Sequence, residues 1–345
     1  MIVQQDARLA SLTAWLRDDL RRPPLRIEVA SADASFRRYF RAFMPDGSLI
    51  LMDAPPEKET IEPYLRIAAM LEATGVHVPA IHAVDLARGF VLMEDLGSTP
   101  YLARLRSGED PLVLYRDALA SLADIQVRGA DAAAQLSAYD AALLEREMQL
   151  LPEWFCERHL RLQLDAEERA MLRSVFDYLI DALLKQPQVC VHRDFHSRNL
   201  MLTATRNPGV IDFQDAVRGP ISYDLVSLLK DCYIRWPRER VEAWLRDYRL
   251  QIQARGLDVG VDAREFLRWF DLAGVQRHLK VLGIFCRLWY RDGKIGYLAD
   301  LPLTLDYVRD ACARYGELQG LARWLERRVV PFLDAANERA AAGPA

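Results

Sequence analysis

The stretch Val189 to Asp212 reads VCVHRDFHSRNLMLTATRNPGVID. His192-Arg193-Asp194 follows an apolar triplet, Asn199 lies five residues beyond Asp194, and Asp212 closes a second short apolar run, Gly209-Val210-Ile211. Val189 to Val191, Leu200 to Leu202 and Gly209 to Ile211 are too short for helices and fit small buried strands flanking loops. Three oxygen-bearing side chains are thereby expected on loops at the end of one small sheet. Any one of them alone would be an ordinary turn cap; the combination suits phosphoryl transfer. A transferred phosphoryl group spreads negative charge over its oxygens, so catalysis is mostly positioning, metal neutralisation and removal of one hydroxyl proton. One carboxylate can serve as base, while an amide and a second carboxylate supply hard oxygen ligands for magnesium.

The rest of the chain sets bounds on that reading. Its 345 residues suffice for one large or two modest domains. With 51% apolar and 27% charged residues it is not a disordered chain, and a net charge of -4 gives no basic excess for nucleic acid. The five cysteines are widely spaced, odd in number and form no CxxC pair, as buried thiols in a reducing compartment would. MIVQQDARLASL has neither the basic nor the apolar region of a secretory leader, and no apolar run approaches 18 residues. The expectation is a cytoplasmic protein acting on small molecules, with no nucleic acid, no membrane and no obligatory protein partner.

Read in order, Asp6 can cap a helix carrying Leu9, Leu12, Leu16 and Leu20 on one face. Leu25 to Val29, Phe36 to Phe43 and Ser48 to Asp53 read as strands, with turn chemistry at Met44-Pro45-Asp46-Gly47. Glu57 to Thr74 has helical periodicity, and a second hairpin runs from Ala80 to Met93. Glu94-Asp95-Leu96-Gly97 then breaks the pattern. Beyond it, Pro111 to Arg128, Ala141 to Phe155 and the capped segment after Asp165 are helical, and from Tyr223 onward the chain is nearly all helix. The fold class is α+β: a small antiparallel β-sheet lobe with a leading helix, residues 1–97, and a larger, mostly helical lobe, residues 98–345.

These elements and the HRD…N…ID spacing resemble the protein-kinase-like superfamily, and within it the aminoglycoside phosphotransferase family of small-molecule kinases. The resemblance implies a bilobal fold that uses ATP and Mg2+, with nucleotide bound mainly by residues 1–97. It implies that Asp194 is the catalytic base, that Asn199 and Asp212 hold magnesium, and that His192 pins the catalytic loop. His196, two residues after the base, replaces the lysine usual in serine/threonine kinases. Only about ten residues separate Asp212 from the helix near Tyr223, with no Ala-Pro-Glu segment, so no peptide platform fits. Glu94 and Leu96 are similar in position to the hinge that binds adenine through its backbone. Asp215 is expected to cap its loop, and Asp224 to cap and anchor the helix after Tyr223.

Two departures from the family pattern stand in the small lobe. The loop expected over the phosphates, Ser31-Ala32-Asp33-Ala34-Ser35-Phe36, has no glycine, which leaves the hydroxyls of Ser31 and Ser35 and backbone N–H groups as donors. The third strand carries no lysine; of 45 basic residues only five are lysines, and Lys58 alone precedes residue 185. ATP still needs positive charge there. Arg37, Arg38 and Arg41 on the preceding strand are candidates, Arg38 foremost, with Lys58 another.

Wording such as HRDFHSRNLM, IDFQDAVRGPISYDLVSLLKD, LMDAPPE and MEDLG is similar to the bacterial anomeric kinases for N-acetylmuramate and N-acetylglucosamine of cell-wall recycling. That resemblance implies phosphorylation of a sugar C1 hydroxyl. For the acceptor, His196 and the cation-rich helix bearing Arg277, His278, Lys280 and Arg287 are the candidates. The residues alone reach an ATP-dependent kinase of a small hydroxyl compound. Homoserine-, choline- or aminoglycoside-type acceptors remain open, as does a nucleotide-binding pseudokinase.

Overall fold

The computed structural model describes residues 6–31 and 36–343. In chain order the helices and strands begin with α1 (Ala7–Ala14), β1 (Arg26–Ser31), β2 (Arg38–Met44), β3 (Gly47–Asp53), α2 (Glu62–Ala73), β4 (Ile81–Asp85) and β5 (Phe90–Glu94). There follow α3 (Tyr101–Arg106), α4 (Pro111–Arg128), α5 (Ala130–Ala133), α6 (Ala141–Met148) and α7 (Ala166–Leu184), then β6 (Gln188–Val191), β7 (Leu200–Met201), β8 (Gly209–Val210) and β9 (Val217–Pro220). The remainder is α8 (Tyr223–Leu229), α9 (Arg238–Ala254), α10 (Ala263–Asp292), α11 (Leu301–Cys312), α12 (Gln319–Trp324) and α13 (Val330–Ala341). Two compact units result: Met1–Pro100 with Leu200–Asp215, and Tyr101–Asn199 with Ala216–Ala345.

The first unit is built on a five-stranded antiparallel sheet of order β1-β2-β3-β5-β4. Strand alternation sends Phe40, Ala42, Leu51, Phe90 and Leu92 to one face, where Leu12, Trp15 and Leu16 cover them. Each such large side chain contributes about 1.5–3 kcal/mol on burial, so the leading helix is integral to the sheet. Asp6 caps α1 as expected, its Oδ1 accepting from Leu9 N at 3.1 Å. The next helix starts later than its periodicity suggests, at Glu62. Pro55-Pro56 bends the chain first, with Lys58 N and Glu59 N donating to Pro55 O, and Pro63 suits a first helical turn. Strands β7 and β8 form their own antiparallel pair, and Val210 N donates to His77 O at 2.7 Å.

The second unit surrounds α10, a 30-residue helix buried on every side from Trp269 to Gly283. Asp262 caps it by accepting from Glu265 N at 2.8 Å, and Gly293 ends it with φ +70. Strand β9 has no periodic signal of its own and pairs with β6, Cys190 opposite Arg218. All five cysteines are buried free thiols. Among the described residues no helix is long and apolar enough to cross a membrane.

One close approach fixes α10 against the bend after α6. A Cβ added at Gly283 would stand 2.3 Å from Leu150 O and 2.4 Å from Leu150 C. Those are backbone atoms that no rotamer change can move aside. Alanine gains about 1 kcal/mol in helix propensity, but overpacking costs about 1–3 kcal/mol or more. Gly283→Ala should therefore lower the denaturant midpoint; a midpoint at or above wild type would show that the bend yields.

Candidate active site

The loop that carries the candidate base leaves β6 at Val191 and turns at once through Arg193, whose φ of +77 is left-handed and unusual for a residue with a side chain. Both peptide groups around it are gripped. Asp224, in the first turn of α8, accepts from His192 N at 2.6 Å and from Arg193 N at 3.0 Å. The Arg193 carbonyl accepts from Arg277 Nη1 at 2.7 Å. The Arg193 guanidinium meets Glu147 and lies 5.7 Å from the Tyr139 ring. Asp224 thus serves the loop rather than its own helix: Ser222 precedes α8 without a side-chain cap.

Asp194 sits at the loop's turn. His192 Nδ1 accepts from Asp194 N at 3.2 Å, which requires the ring's other nitrogen to hold the proton. The Asp194 side chain keeps 43% of its surface open, and its Oδ1 lies 3.5 Å from Arg277 Nη2. Its desolvated setting would raise its pKa, but Arg277, Lys280, His196 and Arg193 outweigh that and hold the carboxyl well below the ordinary range. Asp194 is therefore ionised. Asn199 Nδ2 donates to Asp194 O at 3.0 Å, which turns the amide's oxygen end to the opposite side. Next to it, Ser197 N donates to Asp231 at 3.1 Å, and the Ser197 hydroxyl meets the same carboxylate.

Several acceptor candidates are interior. Arg277 is about 5% exposed and works behind Asp194. Lys280 Nζ lies 2.9 Å from Glu147 and donates to Tyr223 Oη at 3.2 Å. His278 is fully buried, stacked on Tyr307, with Nε2 2.9 Å from the Lys230 carbonyl; burial pushes its pKa down to about 3. The structure thus sets His278, a candidate for the acceptor, as a neutral imidazole enclosed in the interior. Arg287 is half-buried, its Nε without a hydrogen-bond partner. His196 stands edge-on to Tyr233, 5.5 Å between centroids, and Arg198 lies 3.6 Å above the same ring.

In the first unit, Asp212 has φ +64 and accepts from Gln214 Nε2 at 2.9 Å. Gln214 Nε2 also lies 3.5 Å from Asp215 Oδ2. Glu94 ends β5, its carboxylate 3.0 Å from His77 Nε2 and accepting from Ala80 N at 3.2 Å. Leu96 is buried where a Cβ on Gly209 would fall 2.8 Å from its Cδ1. Asp95 fixes this turn by accepting from Arg41 Nε and Ser48 Oγ, each at 2.6 Å, and from Gly97 N at 2.9 Å. Arg38 pairs with the fully buried Asp53 and with Asp6. Residues 32–35, Ser35 among them, and the side chain of Ser31 lie outside the described residues.

Glu147 escapes the sequence reading although it collects Tyr139, Arg193 and Lys280. Its signal is a charged residue three positions after Leu144, on the buried face of α6. Asp231 gives no such signal, since it follows α8 in an irregular turn.

A family model described as "Phosphotransferase enzyme family" matches residues 26–270. The chain belongs to this family of phosphotransferases. It is 45% identical over 328 residues to an N-acetylmuramate/N-acetylglucosamine kinase of Pseudomonas putida, spanning 92% of this chain and 96% of that one. A protein of the same description from Pseudomonas aeruginosa is 44% identical, spanning 94% and 97%. Among solved structures, the choline kinase LicA from Streptococcus pneumoniae matches with a TM-score of 0.60 at 13% identity, covering 90% of this chain and 100% of that one. The fold is the bilobal, protein-kinase-like α+β fold.

Burial pushes the Asp224 carboxyl up to about 7, against the pull of the His192 and Arg193 N–H groups and Arg277. A protonated carboxyl still accepts hydrogen bonds, so the loop stays anchored. An unfolded aspartate loses its proton near 3.8. The folded state then binds more protons between about 4 and about 7, and stability from this group falls as pH rises through that window. Denaturant midpoints at about pH 5 and about pH 7 should differ more in wild type than in Asp224→Asn. Equal differences would mean that Asp224 titrates as an ordinary carboxylate.

Proposed function

We propose that this chain is an ATP-dependent kinase that phosphorylates the anomeric C1 hydroxyl of N-acetylmuramate and N-acetylglucosamine, in the cytoplasm, for peptidoglycan recycling. The observation that carries the reaction is Asp194, an ionised and accessible carboxylate on a loop pinned from both sides. The names of relatives at 44–45% identity over nearly the whole chain support the acceptor.

A carboxylate held so far below the ordinary range is a weak base toward an ordinary alcohol. An anomeric hydroxyl is more acidic, so its proton passes to such a base with less help. In this reading Asp194 orients the C1 hydroxyl and takes its proton, the C1 oxygen bonds to the γ-phosphorus, and the bond to the departing ADP oxygen breaks. Arg277 and Lys280 keep Asp194 charged from behind, and His196 borders the acceptor. Arg287 remains the candidate on α10 for a charged sugar substituent. Glu94 and Leu96 offer backbone groups to adenine, and Ser31 and Ser35 to the phosphates.

Asn199 and Asp212 would hold magnesium. An amide and a carboxylate are hard oxygen donors, and magnesium favours few protein ligands alongside phosphate oxygens, so the donor set fits. When bound, the metal neutralises phosphate charge.

Phosphorus NMR of the products from ATP with each amino sugar tests the reading. An anomeric phosphate, stable to alkali and labile to acid, is expected. Asp194→Asn and Asp212→Ala should each lose at least about 10²–10⁴-fold in kcat while remaining folded; full activity in either would refute the assignment.

A further inference from the structure

The first unit leaves one electrostatic demand unanswered: which cation stands in for the absent strand lysine. Arg38 and Arg41 are already committed. Arg38 joins Arg8 on Asp53, Arg8 Nε donating at 2.8 Å, and this carboxylate has no exposed surface. Arg41 is fixed on Asp95 and donates to Gly97 O at 2.9 Å. Lys58 is exposed, 5.7 Å from the Phe36 ring.

Arg37 is placed differently. It is 8% exposed and its Nε lies 3.1 Å from Glu59 Oε1. Both line a pocket of about 150 Å³ whose wall also includes Met52, Tyr64, Gln214 and Asp215. Met52 is the penultimate residue of β3, paired with Tyr39, so the guanidinium shares a pocket with the end of the strand on which the lysine is missing. Gln214, another lining residue, is tied to Asp212 by its 2.9 Å hydrogen bond, and its Oε1 is buried with no hydrogen-bond partner. Tyr64 holds the floor, its ring 4.9 Å from Phe213 and its hydroxyl donating to Met93 Sδ at 3.2 Å. A cation, its carboxylate partner and the approach to Asp212 thus share one cavity.

We infer that Arg37 grips the nucleotide phosphates and that Glu59 positions it, an Arg–Glu pair performing what a strand lysine and a helix glutamate perform in protein kinases. The pair reaches the same place from other elements: the cation enters from the start of β2, and the carboxylate from the turn before α2. A guanidinium has five donors in a planar fork, enough to serve Glu59 and a phosphate at once. A lysine on β3 becomes unnecessary, and the strand ends instead in Asp53, which ties α1 to the sheet.

The inference rests on the ATP-dependent kinase reading, and binding measurements separate the two. Adenosine, ADP and ATP, with magnesium, are titrated against the full chain and its Arg37→Ala, Arg37→Met and Glu59→Gln variants. Methionine keeps much of the buried stem if alanine fails to fold. Wild type should prefer ADP over adenosine. Each folded Arg37 variant should lose about 10- to 100-fold in ADP affinity, the worth of a charged hydrogen-bond partner, and keep its adenosine affinity. Glu59→Gln should raise KM for ATP by a smaller factor with kcat less affected. An Arg37 variant that folds and keeps the wild-type preference overturns the inference. A wild type that binds neither nucleotide removes the kinase reading, and this inference with it.

Discussion

The second unit depends on holding one left-handed peptide in place. Arg193 adopts φ +77, a conformation that costs of order 1–3 kcal/mol for a residue with a side chain. Asp224 and Arg277 offset that cost by capturing the amides and carbonyl on either side of it. The same turn delivers Asp194 to the surface while its neighbours His192 and Phe195 stay buried. Without the strained residue the chain would continue as a strand and Asp194 would point elsewhere.

The charges around that peptide form one arrangement. Burying an ion costs several kcal/mol unless it is paired, and here Glu147 receives Arg193 and Lys280, while the Tyr139 hydroxyl meets Glu147 and the Tyr223 hydroxyl accepts from Lys280. The Glu147 carboxyl is held below its ordinary range because burial, which would raise it, is outweighed by Lys280 and Arg193. The result is a fixed positive field behind Asp194. A second buried set, Asp271 with Lys230, Arg238 and Tyr315, ties α10 to the segments around it and leaves the chemistry alone.

The first unit shows how one missing residue is absorbed. The third strand carries no lysine and ends in Asp53, a carboxylate that draws Arg8 and Arg38 onto itself, joining α1 to the sheet. The arginines in and just before β2 look interchangeable in the sequence, RRYFR, but the fold gives them different partners. Arg38, the foremost sequence candidate, faces Asp53, while its neighbour Arg37 opens on the pocket.

The five strands, the leading helix and the order of helices were legible because alternation, helical periodicity, caps and turn residues are local signals carried by side chains a few positions apart. Strand β9 was not, since Val217 to Pro220 acquires its extended form only by pairing with β6. The sequence by itself determined which candidate groups are present and how they are spaced: Asp194, Asn199 and Asp212, and the short link from Asp212 to Tyr223. Tertiary structure alone decided which of many arginines and carboxylates face one another. Side-chain charge is readable at any position, but its partner is set by packing between residues far apart in the chain. Arg277 and Lys280 are thus acceptor candidates by sequence, and in the fold they lie against Asp194 and Glu147.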